Sequence, residues 1–176
     1  MEKLSRVKCA RIAKVKILFI QTGGTIDKDY PRVVKGYAFE IEEPAVKRIL
    51  EKINPNFTYT ILPLLQKDSL DITPKDRKKI FAFCKKMKET KILITHGTDT
   101  MIQTAEVLST IKNKAIVITG AMRPERFGNS DAMFNIGSAI GALNALGNGV
   151  YIAMNGRIYP WNEVKRNTKT GQFIEK

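Results

Sequence analysis

Apolar and polar positions along this chain alternate between two patterns. Short, nearly unbroken apolar runs at 16–20, 57–62, 91–95, 115–119 and 150–154 are rich in β-branched and aromatic residues, and they predict strands. Between them, apolar residues recur at helical spacing. Val46, Ile49 and Leu50 form one such face, and Ile80, Phe83, Cys84 and Met87 another. Ile102, Ala105 and Leu108 form a third, and Met133, Ile136 and Ile140 a fourth that should stop near Gly147. Helix starts are legible too. Glu43-Pro44 opens the first, and Thr73-Pro74-Lys75-Asp76 combines an N-cap hydroxyl, a proline in the first turn and an early carboxylate.

Strands alternating with helices of this length predict an α/β fold: a doubly wound, mostly parallel sheet flanked by helices. No repeat, low-complexity tract or linker divides residues 16–176, which are expected to form one domain. Residues 1–15, with Lys3, Arg6, Lys8, Arg11 and Lys14 against Glu2 alone, are expected to be a mobile basic leader. Open sheets of this kind gather ligands beyond the carboxyl ends of their strands. The segments after residues 20, 62, 95 and 119 are therefore the places to look for chemistry.

Composition changes the picture only at its edges. A length of 176 residues at 43% hydrophobic content suits one substantial core. No apolar run approaches transmembrane length, and the leader lacks the continuous apolar segment of a secretory signal. Cys9 and Cys84 are too far apart to suggest a disulfide framework or a paired metal motif, which fits a reducing cytoplasm. A net charge of +13 would suit an anionic partner. The basic residues are nevertheless scattered, without interleaved aromatics to stack bases, so a lysine-rich solvated surface is expected rather than a nucleic-acid interface.

Two loops carry candidate chemistry. Gln21-Thr22-Gly23-Gly24-Thr25-Ile26-Asp27 follows the first strand, and its paired glycines would let backbone approach a ligand closely. The string lacks the spacing of the dinucleotide fingerprint, and its threonines could instead bond their own backbone. Thr95-His96-Gly97-Thr98-Asp99-Thr100 follows the third strand. There, Thr100 with Gln103 could form a capping box, and Asp99 could complement the helix dipole. His96, the sole histidine, has no paired cysteines or carboxylates to suggest a metal site. Asp131 and Asn135 are expected to hold the fourth helix and its loop.

These loops, with Thr119-Gly120-Ala121-Met122-Arg123-Pro124, resemble the bacterial-type asparaginase/glutaminase family in motif, order and interval. The resemblance runs from Lys16 to the end of the chain and is closest to the short members that consist of the family's first domain. It implies hydrolysis of the side-chain amide of L-asparagine without metal or cofactor. Thr25 matches the nucleophile that forms an acyl-enzyme, and Tyr37, with Tyr30 second, matches a flexible-loop tyrosine beside it. Gly24 and Gly97 fall at the substrate. Thr98 and Asp99 match a second threonine and the aspartate that binds the substrate's α-ammonium group. Lys165 matches a supporting lysine, with a one-residue spacing difference that leaves Arg166 as the alternative. Where longer members grip the α-carboxylate with a serine and a glutamine, Gln66, Lys67 and Asp68 stand here.

Longer members carry a second domain that donates an acidic residue to a neighbouring subunit's site. Without it, a homodimer is expected to close the site, and low glutaminase activity is expected because an extra methylene would misplace the amide. The alternatives from the sequence are an amidase for another amide and a non-catalytic amino-acid-binding module.

Overall fold

The computed structural model describes residues 15–30 and 39–176. Its first half runs β1 (Lys16–Gly23), β2 (Lys28–Asp29), β3 (Glu40–Ile41), α1 (Ala45–Ile53), β4 (Thr58–Lys67) and α2 (Pro74–Lys86). There follow β5 (Lys91–Thr95), α3 (Met101–Leu108), β6 (Ala115–Thr119), α4 (Ala132–Ala145) and β7 (Gly149–Met154). The chain closes with β8 (Arg157–Pro160), β9 (Val164–Arg166) and β10 (Phe173–Glu175).

Six strands form the central sheet in the order β4-β1-β5-β6-β7-β8. All pair in parallel except β8, which runs antiparallel to β7. Helices cover both faces, and that explains why the strands read as continuous apolar runs rather than as alternating ones. Ile17, Phe19, Leu93 and Val117 point to one core with Val46, Ile49 and Leu50 of α1 and Ile136 and Leu143 of α4. Their neighbours Leu18, Ile20, Ile92, Ile94, Ile116 and Ile118 point to the other, with Ile80 and Cys84 of α2 and Met101, Ala105 and Leu108 of α3. The doubly wound α/β reading is therefore what the chain adopts.

The sequence placed the strands but not all their limits. β1 continues through Gln21 to Gly23, and β4 runs on to Lys67 with a register shift opposite Gln21 and Gly23. Pro63 is tolerated inside β4 because that strand lies at the sheet edge, where a missing N–H breaks no ladder. β8 was not anticipated, although its signal is present: Met154 pairs with Arg157 across Asn155 and Gly156, both at positive φ (54° and 79°). Asn-Gly between apolar runs favours this two-residue hairpin turn.

The Thr73 start behaves as expected. Its hydroxyl accepts the Asp76 N–H while the Asp76 carboxylate accepts the Thr73 N–H. The proposed Thr100–Gln103 capping box does not form. No side chain caps α3 at Thr100, whose hydroxyl is donated instead to the Ser69 carbonyl at 2.6 Å.

Candidate active site

The first loop is shaped by two glycines. β1 ends in Gly23 (φ 106°) and Gly24 (φ 88°), conformations that side chains rarely adopt. Space is as restrictive as torsion: a β-carbon on Gly23 would lie 2.4 Å from the Lys67 carbonyl oxygen, and one on Gly24 would lie 2.3 Å from Gly97 Cα. Gly24 N–H donates to the Lys67 carbonyl at 3.0 Å, and the Thr22 hydroxyl donates to the Thr95 carbonyl at 2.8 Å. The first loop is thus stitched to the ends of β4 and β5. Thr25 then opens a single 3-10 turn, Thr25–Asp27.

The loop after β5 is held from behind by His96. The ring is fully buried, and its Nδ1 lies 2.8 Å from the Gly97 carbonyl and its Nε2 2.8 Å from the Thr104 hydroxyl. A carbonyl only accepts, so Nδ1 carries the proton and Nε2 accepts from Thr104. Burial pushes the imidazole down to about 4, so the ring is neutral at ordinary pH and serves as a strut rather than a base. Gly97 packs against Ser69, where an added β-carbon would stand 2.6 Å from Ser69 Cβ. The loop after β6 contributes by support: Asp131 accepts the N–H groups of Met122 and Arg123, and Asn135 donates to the Gly120 carbonyl and to Asp131.

Asp99 sits at the mouth of this arrangement. Oδ1 accepts from the Arg166 guanidinium in an ion pair, and the Ser69 hydroxyl lies 3.4 Å from Oδ2. Arg166 reaches it because β9 pairs with β10 in a hairpin whose loop is set by Asn167, which accepts the N–H groups of Lys169 and Thr170, and by Gly171 at φ 75°. Lys165, one residue earlier, is exposed between buried Val164 and half-buried Arg166. The period-2 alternation of a strand allows only one of two neighbours to face Asp99, and here it is Arg166.

The threonine hydroxyls divide into two sets. Those of Thr22, Thr95, Thr100, Thr104 and Thr119 are all in hydrogen bonds to the surrounding frame. Thr25, half-buried, and Thr98, 7% exposed, have no hydrogen-bond partner for their hydroxyls among the described residues. Each follows directly on one member of the touching Gly24–Gly97 pair.

Other expected site residues are engaged elsewhere. Lys67 pairs with Asp76 at 2.8 Å, Asp68 with Lys28 at 2.7 Å, and the exposed Gln66 donates to the Glu42 carbonyl at 3.2 Å. Lys28 holds the Asp68 carboxyl below the usual carboxylate range. The exposed Tyr30 packs at a tilt on Phe39 and stacks on the half-buried Phe127. Tyr37 lies outside the described residues. Two residues near the threonines escaped the sequence reading. Ser69 had no cue beyond lying three residues past Gln66. Asp27 is buried behind Thr25, and burial raises its carboxyl to about 7 against the hydrogen bonds from Ala45, Gln21 and Thr95 and the charge of Arg48. Among the described residues, no three His, Cys, Asp or Glu side chains group as a metal site, and no helix is long and apolar enough to cross a membrane.

An open, mostly parallel sheet here carries two threonine-bearing loops at its carboxyl edge, where α/β domains of this class gather their ligands. The chain belongs to the asparaginase family: the family model described as "Asparaginase, N-terminal" matches residues 16–173. It is 29% identical over 175 residues to a glutaminase-asparaginase of Acinetobacter glutaminasificans, covering 92% of this chain and 53% of that relative. The structure of a probable cytoplasmic L-asparaginase from Campylobacter jejuni superposes with a TM-score of 0.73 at 28% identity, covering 87% of this chain and 48% of that one. The thermostable L-asparaginase from Thermococcus kodakarensis superposes with a TM-score of 0.77, again at 28% identity, covering 92% of this chain and 51% of that one. The chain thus spans about half the length of these relatives.

Proposed function

We propose that this domain hydrolyses the side-chain amide of L-asparagine, with Thr25 as nucleophile. The observation that carries the reading is the pair of uncommitted hydroxyls, Thr25 and Thr98, on two loops locked together at Gly24 and Gly97. In the proposed reaction the Thr25 Oγ–carbonyl carbon bond forms, the amide C–N bond breaks, and ammonia leaves with the hydroxyl's proton. Water then cleaves the resulting ester, giving aspartate and restoring Thr25. Tyr37 is the proposed activator of Thr25, and Thr98 the second hydroxyl at the amide.

Asp99 is the proposed seat of the α-ammonium group, a charge-assisted contact that would separate amino-acid amides from simple ones. Arg166 takes the supporting place beside it. A guanidinium stays charged in proteins and cannot act as a base, so Arg166 orients Asp99 and moves no proton. Lys67 and Asp68 are occupied by partners of opposite charge, and Ser69, between Gly97 and Asp99, is the stronger substrate-side candidate. A homodimer closing the site and a cytoplasmic setting complete the proposal; the setting is supported by the likeness to the Campylobacter protein, a probable cytoplasmic L-asparaginase.

The test is ammonia release from L-asparagine and L-glutamine by the purified chain beside Thr25→Ala and Thr98→Ala. Asparagine turnover abolished in both variants supports the reading, and a folded wild type inert toward both amides sinks it. One observation favours a second reading, an amidase for an amide without an α-ammonium group. The Asp99 carboxylate is already paired with a permanent cation, which competes with any substrate ammonium.

A further inference from the structure

The turn that carries Thr25 also buries a carboxyl that the proposed chemistry does not use. Asp27 is 1% exposed, and three elements meet around it. Its Oδ1 accepts the Ala45 N–H at the start of α1, at 2.7 Å, and its Oδ2 lies 3.4 Å from the Thr95 hydroxyl at the end of β5. Gln21 of β1 flanks it as well. The turn's backbone is tied to the same surroundings. Asp27 N–H donates to the Gly24 carbonyl, Glu42 N–H to the Asp27 carbonyl, and Glu125 N–H to the Ile26 carbonyl, all at 3.1–3.2 Å.

Gln21 supplies the second observation. It is 1% exposed, and its Nε2 donates to the Glu42 carbonyl at 2.7 Å. A carbonyl accepts and cannot donate, so this bond fixes which way the amide points. Gln21 Oε1 is then left buried without a hydrogen-bond partner. Such an atom is costly, and so is a buried carboxylate without a committed cation. Arg48 of α1 is the cation that acts on Asp27, but its guanidinium is bonded to Glu125 at 2.7 Å and to Glu43 at 3.4 Å. Lys28, next in the chain, is taken by Asp68. One proton on Asp27 would remove the buried charge, and the Thr95 hydroxyl, which accepts as well as donates, would receive it.

We propose that Asp27 is a positioning residue for Thr25 that works as a neutral carboxylic acid, with the Thr95 hydroxyl turned to accept its proton behind the turn. Ionisation would put a buried charge with no cation of its own two residues from Thr25, in a turn of three, and loosen the placement of the hydroxyl. The surroundings hold the group up to about 7, so the change falls in the working range of pH. As a role in catalysis this rests on the amide hydrolysis proposed above, whereas the protonation itself does not.

The experiment follows the Asp27 carboxyl carbon and the Thr25 amide by NMR from pH 5 to 9, in the wild type and in Asp27→Asn, with kcat and KM for L-asparagine alongside. The Asp27 carboxyl is expected to titrate near pH 7, with the Thr25 amide shifting at the same midpoint in the wild type and silent there in D27N. D27N should keep kcat/KM at pH 6 within about twofold of the wild type. The ratio of wild-type to D27N activity should then fall severalfold through the same ionisation, whereas Asp27→Ala should lose activity at every pH. Titration below pH 5, or a D27N as inactive as D27A, overturns the proposal. If the wild type releases no ammonia, the amidase reading fails on its own, and Asp27 is judged by the two NMR midpoints, which need no turnover.

Discussion

Gly24 and Gly97 meet backbone to backbone: a methyl on Gly24 would stand 2.3 Å from both the Cα and the N of Gly97. No rotamer change relieves such a contact, because the obstructing atoms are main chain. The strand ends that carry the two loops are already parallel neighbours, and the close packing here fixes the loops to each other at the residues just before Thr25 and Thr98. Gly24→Ala adds positive-φ strain (88°) to the clash. The expected cost is about 2–4 kcal/mol with loss of activity, read by denaturant unfolding and ammonia release. A variant of wild-type stability would contradict the packing described.

The ion pair between Arg166 and Asp99 separates two adjacent basic residues by role. Arg166→Ala should lower kcat/KM for L-asparagine by at least about tenfold, whereas Lys165→Ala should change it by less than about twofold. The reverse ranking would return the supporting role to Lys165.

Ser69 touches three features of the site at once: it packs on Gly97, faces Asp99 through its hydroxyl and accepts the Thr100 hydroxyl at its carbonyl. Ser69→Ala keeps the β-carbon and the carbonyl and deletes only the hydroxyl. Steady-state kinetics should show KM for L-asparagine raised by about threefold to tenfold with kcat less affected. An unchanged KM would leave Ser69 as scaffold alone.

Stability against pH should show two buried groups opposing each other. Asp27 has its carboxyl raised from 3.8 to about 7, so the folded chain holds a proton there that the unfolded chain has released, and stability falls as pH rises across that window. His96 is lowered from 6.5 to about 4, so the unfolded chain holds the extra proton, and stability rises with pH between those values. Between about pH 4 and 6.5 the two slopes offset in the wild type. Asp27→Asn removes only the falling slope, so its stability should climb through that range relative to the wild type, by an amount on the order of a few kcal/mol. Chemical denaturation at intervals of pH checks this, and parallel curves for the two proteins would refute it.

The capping box at Thr73 makes a prediction independent of function. Its hydroxyl and the Asp76 carboxylate satisfy each other's backbone N–H groups at the start of α2. Thr73→Ala should cost about 1 kcal/mol in thermal or denaturant unfolding, with amide turnover unchanged.

What the sequence determined by itself was set by local and periodic rules. Apolar runs of strand length at 16–20, 91–95 and 115–119, broken by helical spacing at Val46 or Ile80, could be read as strands and helices because burial on both faces demands that pattern. The Thr73 start was legible because a cap and its partner lie three residues apart, and the same arithmetic failed at Thr100, where a nonlocal acceptor, the Ser69 carbonyl, won the hydroxyl. Asn155-Gly156 carries a hairpin signal of the same local kind, one that the apolar pattern alone does not reveal. Tertiary structure alone decided the rest. Which of Lys165 and Arg166 meets Asp99 depends on the register of a hairpin 67 residues away in sequence from that aspartate. Which threonines are left uncommitted depends on where five other hydroxyls found acceptors. Asp27 looks in the sequence like any polar residue after a glycine turn, and only its enclosure by Gln21, Ala45 and Thr95 withdraws the water that would have kept it an ordinary carboxylate.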